Sequence, residues 1–256
     1  MPVLRTSTLG LLLAVLSQTA WAKHADIVHK TAPSRPVLLE LFTSQGCSDC
    51  PAADRMVTEL ANRNDVIALS LPITYWDILG WKDTFATDAN TRRQKSYAQV
   101  MNRSGIYTPQ MIIDGRLDVV GNQRDRVMQA VETRSVAIAR ETSIPILLRK
   151  VSNRIEIAIP GKAKGSKGAG TIWVMRTLAQ GSVNVGDGEN RNRQLTYTNV
   201  VRELQRAGEW SGQSMKIDLP LIVSKLKYDG VVVILQAEDF GPVLGAAELR
   251  ISGSKS

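Results

Sequence analysis

Only two cysteines and two histidines occur in the 256 residues, and both scarcities limit the chemistry open to the chain. The histidines, His24 and His29, sit in a polar, proline-bearing stretch near the start, so nothing beyond residue 35 carries an imidazole. That excludes Ser-His-Asp and Cys-His nucleophile pairs from the body of the chain, together with histidine-rich zinc or iron sites. The cysteines, Cys47 and Cys50, are followed by Pro51 rather than histidine, which excludes c-type haem attachment. A bridge between them closes too short a loop to stabilise much, because a cross-link acts chiefly by restricting the unfolded chain, an effect that grows with loop length. Long apolar runs are lacking as well. Leu9 to Leu16 falls far below the roughly 20 residues that a membrane-spanning helix needs.

That short run follows Arg5 and precedes Ala20-Trp21-Ala22, a small-x-small cleavage site. Residues 1–22 therefore read as a cleaved signal peptide and 23–35 as a linker. The expectation is a soluble periplasmic protein without a membrane span. The formal charge of +8 comes with no aromatic-interleaved basic motif, so nucleic acid is not an expected partner. No cofactor or metal is called for. Outside the cytosol disulfides persist, and the dithiol is open to three readings: redox centre, structural bridge, or a copper(I) site of two thiolates helped by His24 or His29.

From Val37 the chain alternates. Val37 to Thr43 is a short apolar run expected to be a buried strand, Pro51 to Asn62 an amphipathic helix, and Val66 to Ile73 a second strand. Thr74 to Phe85 is an aromatic-rich loop. Asp88 to Arg103 reads as a helix capped by Thr87 or Asp88. Gln110 to Ile113 is a strand turning at Asp114-Gly115 into Leu117 to Val120, and Asn122 is the expected cap of a last helix through Val127, Val131, Val136 and Ile138. Such alternation predicts a central sheet with helices on both faces.

A strand running into Cys-x-x-Cys and then a helix resembles the thioredoxin superfamily. Gly105-Ile106-Tyr107-Thr108-Pro109, followed by an apolar strand and an Asp-Gly turn, resembles that superfamily's cis-proline loop. The likeness covers roughly residues 36–142. Glu40-Leu41-Phe42-Thr43-Ser44-Gln45-Gly46-Cys47, with Tyr75-Trp76-Asp77 and Gly80-Trp81-Lys82-Asp83, is similar to the domain of unknown function 1223, a family of exported bacterial proteins with thioredoxin-like folds.

The resemblance implies an attacking Cys47 thiolate, favoured by the start of the following helix, and a shielded, resolving Cys50. It implies a cis Thr108–Pro109 bond beside the dithiol, with Tyr107 and Thr108 flanking a substrate groove. It also implies that Glu40, near the superfamily's buried strand acid, assists proton transfer to Cys50; a salt-bridged structural carboxylate is the alternative. Tyr75, Trp76 and Trp81 are candidates for a wall of the groove or for core. Asp49, between the cysteines, disfavours a thiolate and leans the centre toward the reducing end of the range from about −270 to about −120 mV.

Residues 143–256 are expected to form a mostly-β, sandwich-like domain. Strands are expected at Ile144 to Val151, Arg154 to Ile159, Thr171 to Leu178, Leu195 to Val201, Met215 to Leu219, Val231 to Ala237 and Val243 to Ile251. The function expected is a thiol-disulfide oxidoreductase that reduces or exchanges disulfides of exported proteins or peptides and is served by a redox partner. The alternatives are a non-catalytic binding module with a structural disulfide and a copper(I) metallochaperone.

Overall fold

The computed structural model describes residues 35–162, 169–221, 226–238 and 240–251. The expected signal peptide, both histidines and most of the stretch between the strands expected to end at Ile159 and to begin at Thr171 lie outside the described residues.

Strand β1 (Val37–Thr43) is buried along its whole length. It runs parallel to β2 (Val66–Pro72), with Val37 opposite Val66 and Thr43 opposite Pro72, and antiparallel to β3 (Gln110–Ile113). Asp114 and Gly115, at φ 59° and 67°, turn β3 into β4 (Leu117–Val120), as the Asp-Gly pair predicts. Residues alternate across a strand, so β1 faces two cores. Leu39 and Leu41 meet Ala53, Met56 and Val57 of helix α1 (Cys50–Leu60) and Val127 and Val131 of α3 (Arg124–Ile138). Leu38 and Phe42 point the other way, to Tyr97 of α2 (Asp88–Val100). Thr87 caps α2 by accepting the Asn90 N–H. The expected Asn122 cap of α3 is replaced: the Gln123 N–H closes a turn on the Val120 carbonyl, and the helix starts after Gln123 without a side-chain cap.

The second half supplies β5 (Leu147–Val151), β6 (Arg154–Ile159), β7 (Gly170–Asn184), β8 (Gln194–Trp210), β9 (Met215–Pro220), β10 (Gly230–Ala237) and β11 (Val243–Arg250). These strands do not close on themselves. β8 lies parallel to β2 with Val200 opposite Ser70, and the Ser70 hydroxyl and Asn199 amide bond across the seam to the Thr198 and Ala68 carbonyls. One mixed sheet of order β11-β10-β7-β8-β2-β1-β3-β4 therefore runs through both halves. The shorter sheet β5-β6-β9 lays Ile155, Ile157 and Ile159 on Ile172, Val174 and Val233, giving a second layer over part of the large sheet. The protein is thus mixed α/β, and its sheet crosses the boundary expected near residue 142.

A buried polar cluster reinforces the join. Arg93 of α2 donates to both Glu40 carboxylate oxygens, to the Tyr97 hydroxyl and to the Gln236 side chain of β10. Its guanidinium also lies over the rings of Trp173 and Phe240. Such a pair is tolerated in a dry core because each charge has a partner.

Candidate redox site

Cys47 and Cys50 are bridged, with their Cα atoms 5.4 Å apart. Helix α1 starts at Cys50, one residue before the expected Pro51, which falls in its first turn, where a missing N–H costs nothing. Cys47 lies one turn earlier, and the Cys50 N–H bonds back to its carbonyl. Ser48 and Asp49 are exposed, yet Cys47 is only 2% exposed and Cys50 fully buried.

Three walls enclose the bridge. The first is the Thr108–Pro109 segment, whose peptide bond is cis as expected. The Pro109 carbonyl accepts the Gly121 N–H, and a Cβ at Gly121 would lie 3.1 Å from Pro109, Leu41 and Ala53 alike, which places the proline against the first turns of α1. Trp76 lies in a 3-10 helix, Tyr75–Leu79, and packs on Gly46. Its indole N–H donates to the Thr108 hydroxyl oxygen at 2.8 Å, and the Tyr75 hydroxyl donates there at 3.3 Å. Tyr75, Trp76 and Thr108 are thus brought together. Tyr107 is turned elsewhere, its hydroxyl donating to Asp118 of β4 and its carbonyl accepting from Gln94; burial, then Asp118, pushes its phenol up.

The second wall is built on Gln45. Its amide oxygen accepts the Trp81 indole N–H at 2.8 Å, and its backbone N–H donates to Asp83 at 2.8 Å. Trp81 therefore stands apart from the other aromatics, on the side of the third wall.

That third wall is the β7–β8 loop, residues 185–193. Asn190 is fully buried; its amide donates to the Gln45 carbonyl at 3.0 Å and to the Cys47 carbonyl at 2.8 Å, while its oxygen accepts from Arg193. The Glu189 carboxylate accepts the Ser48 N–H at 2.8 Å, and that bond holds its acid below the usual range.

Glu40 does not face the cysteines. It belongs to the Leu38–Phe42 side of β1, whereas α1 and Cys50 cover the Leu39–Leu41 side, so it is a salt-bridged carboxylate under α2. The acid on the dithiol's side is Asp54, one helical turn beyond Cys50 and therefore on the same face of α1. One carboxylate oxygen accepts the Thr43 hydroxyl at 2.8 Å, and the other is buried with no partner among the described residues. Burial raises its pKa well above the usual carboxylate range, opposed by the Thr43 bond and reinforced by Asp83. The spacing Cys50 to Asp54 was readable in the sequence; the partnership of Cys47 with Asn190 had no local signal.

The family described as proteins of unknown function, DUF1223, matches residues 38–236. The chain belongs to the DUF1223 family. Solved structures similar to this DUF1223 chain include protein AGR_C_4864 from Agrobacterium tumefaciens, 28% identical with a TM-score of 0.74 over 88% of this chain and 99% of that one. HBP35 of Porphyromonas gingivalis is 10% identical with a TM-score of 0.55 over 87% and 78%, a likeness of fold alone. No curated protein matches significantly. In the DUF1223 chain no helix among the described residues is long and apolar enough to cross a membrane, and none of the described residues form a metal-holding group of histidine, cysteine and carboxylates.

Proposed function

We propose that the protein is a periplasmic thiol-disulfide oxidoreductase with a thioredoxin-like catalytic half, acting on disulfides of exported proteins or peptides. The observation that carries this reading is that the Cys47–Cys50 bridge at the start of α1 and the cis Thr108–Pro109 bond are drawn together, Pro109 lying near Ala53 in the first turn of α1 and Trp76 joining Thr108 to Gly46. In the reduced protein the Cys47 thiolate attacks one sulfur of the client disulfide, and the other client sulfur leaves as a thiolate. Cys50 then gives its proton to the Asp54 carboxylate and attacks Cys47 Sγ. This forms the intramolecular bridge and releases the second client thiolate, which takes the proton back. The client gains two electrons, and an exported dithiol donor restores the cysteines.

Asp54 suits the proton step because burial raises its affinity for a proton toward that of a thiol, about 8.5 when free. Glu40 does not, since Arg93 compensates its charge on the far face of β1.

The burial of both sulfurs favours a second reading, an inert structural bridge in a binding module. Cys50→Ala separates the two. Expressed in the periplasm, it should accumulate mixed disulfides through Cys47 with a small set of exported proteins. No adducts, together with a midpoint potential too low for exchange, would establish the inert bridge. Copper(I) titration of the reduced protein tests the metallochaperone alternative.

A further inference from the structure

The dithiol is nearly closed to solvent, although exchange requires a sulfur to approach Cys47 Sγ. The loop between Val185 and Arg193 accounts for one side of that closure. It is tied chiefly to itself: Val185 and Arg193 pair at its base, the Asn192 N–H bonds to the Val185 carbonyl, and the Arg193 N–H and side chain both bond to Asn190. A loop so braced can move as a unit on the ends of β7 and β8. Its polar attachments to the dithiol segment are the two Asn190 amide bonds and the Glu189–Ser48 bond. Gly186 and Gly188 lie against Trp81, and Gly188 passes over Gly46.

Building on the reading of Cys47 as the attacking thiol, we propose that this loop is a displaceable cover in which Asn190 and Glu189 determine which partners reach the dithiol. Closed, it occupies the Gln45 and Cys47 carbonyls and the Ser48 N–H, backbone groups that an extended client would pair with. It also holds the Glu189 carboxylate on the Ser48 N–H, one residue along the chain from Cys47, and a like charge in that neighbourhood disfavours the thiolate. A client that competes for these three groups lifts the cover, removes the carboxylate and frees the sulfur together. A small thiol makes no such contacts and must wait for spontaneous opening. The Glu189 bond is solvent-exposed and so is the weaker clasp; the Asn190 bonds are buried and form the stronger one.

The test is the rate at which excess dithiothreitol reduces the oxidised full chain, followed by quenched alkylation. Asn190→Ala should be reduced at least about tenfold faster than the parent, and Glu189→Gln a few-fold faster, with unfolding still cooperative. Equal or slower reduction of both variants overturns the cover. If Asn190→Ala fails to fold, hydrogen exchange on the parent decides: amides 186–192 should exchange well before those of the flanking β7 and β8 ends, and equal protection refutes the proposal. Access to dithiothreitol needs no client, so faster reduction without trapped adducts would retain the cover and reject the oxidoreductase. Trapped adducts with unchanged access would do the reverse.

Discussion

Replacing Asp54 by Asn should make the protein more stable and its dithiol slower. The substitution keeps the shape and the oxygen that accepts from Thr43, and it removes a charge from a site where the second oxygen has no partner among the described residues. The new amide nitrogen is as unpaired as the oxygen it replaces, so the gain at pH 8 comes from the lost charge: about 1.4 kcal/mol for each pH unit between the unfolded and the raised folded pKa. For a chain of this size each kcal/mol corresponds to about 2–4 °C in Tm. The pH dependence gives the sharper test. Because burial raises the folded pKa above the unfolded value, the folded state holds a proton that the unfolded state has lost. Stability therefore falls as pH rises from the unfolded pKa toward the folded one, by up to about 1.4 kcal/mol per pH unit for one proton. Below the unfolded pKa both states carry the proton and this loss vanishes. Asp83, buried and raised in the same direction, adds loss of the same sign and remains in the variant. Thermal melts from pH 3 to pH 9 should show Asp54→Asn and the parent converging in acid and diverging above pH 5, with the variant higher. Resolution of the mixed disulfide, read by stopped-flow, should slow in the same variant. A lower Tm at pH 8, or a stability gap that persists unchanged at pH 3, would refute the assignment of Asp54 as a lone buried acid.

Two further substitutions separate structural from functional residues. Glu40→Gln leaves Arg93 uncompensated in a dry core and should cost about 3–5 kcal/mol in urea unfolding, as expected for one half of a buried pair; loss of exchange at unchanged stability would restore a catalytic part for Glu40. Trp76→Ala removes the indole that joins Gly46 to Thr108 and should weaken capture of clients by the Cys50→Ala trap several-fold while lowering Tm only modestly, because Trp76 is only partly buried; an unaffected yield of adducts would reassign Trp76 to core packing.

Local pattern and distant contact account for what could be foreseen. The dithiol, the Thr108–Pro109 segment and the Asp114-Gly115 turn lie in contiguous stretches whose residue types dictate their conformation, and they were legible. So was the clustering of Tyr75 and Trp76, though not their shared acceptor at Thr108. For Glu40 both readings stayed open, because alternation along β1 shows that it opposes Leu39 and Leu41 but not which side carries α1; the structure gives the salt-bridged one. Asn190 and Glu189 reach a segment more than 140 positions earlier, and nothing in Gly186 to Arg193 taken alone distinguishes that loop from an ordinary turn. β8 was expected to end at Val201 because its second part, through Glu209, is half-exposed and polar. An expected separate domain became part of a shared sheet for a related reason: the pairing of β2 with β8 rests on a single bridge and two side-chain bonds, none with a sequence signature.

That seam has a consequence for how the molecule is made. Until β8 arrives late in the chain, the fully buried β2 has β1 on one side and an open row of N–H and C=O groups on the other. An apolar, uncapped edge of this kind recruits strands from other chains. A newly emerging copy is thus open to strand pairing with other chains for as long as the segment between β2 and β8 takes to appear. A truncation ending near residue 142 never leaves that state.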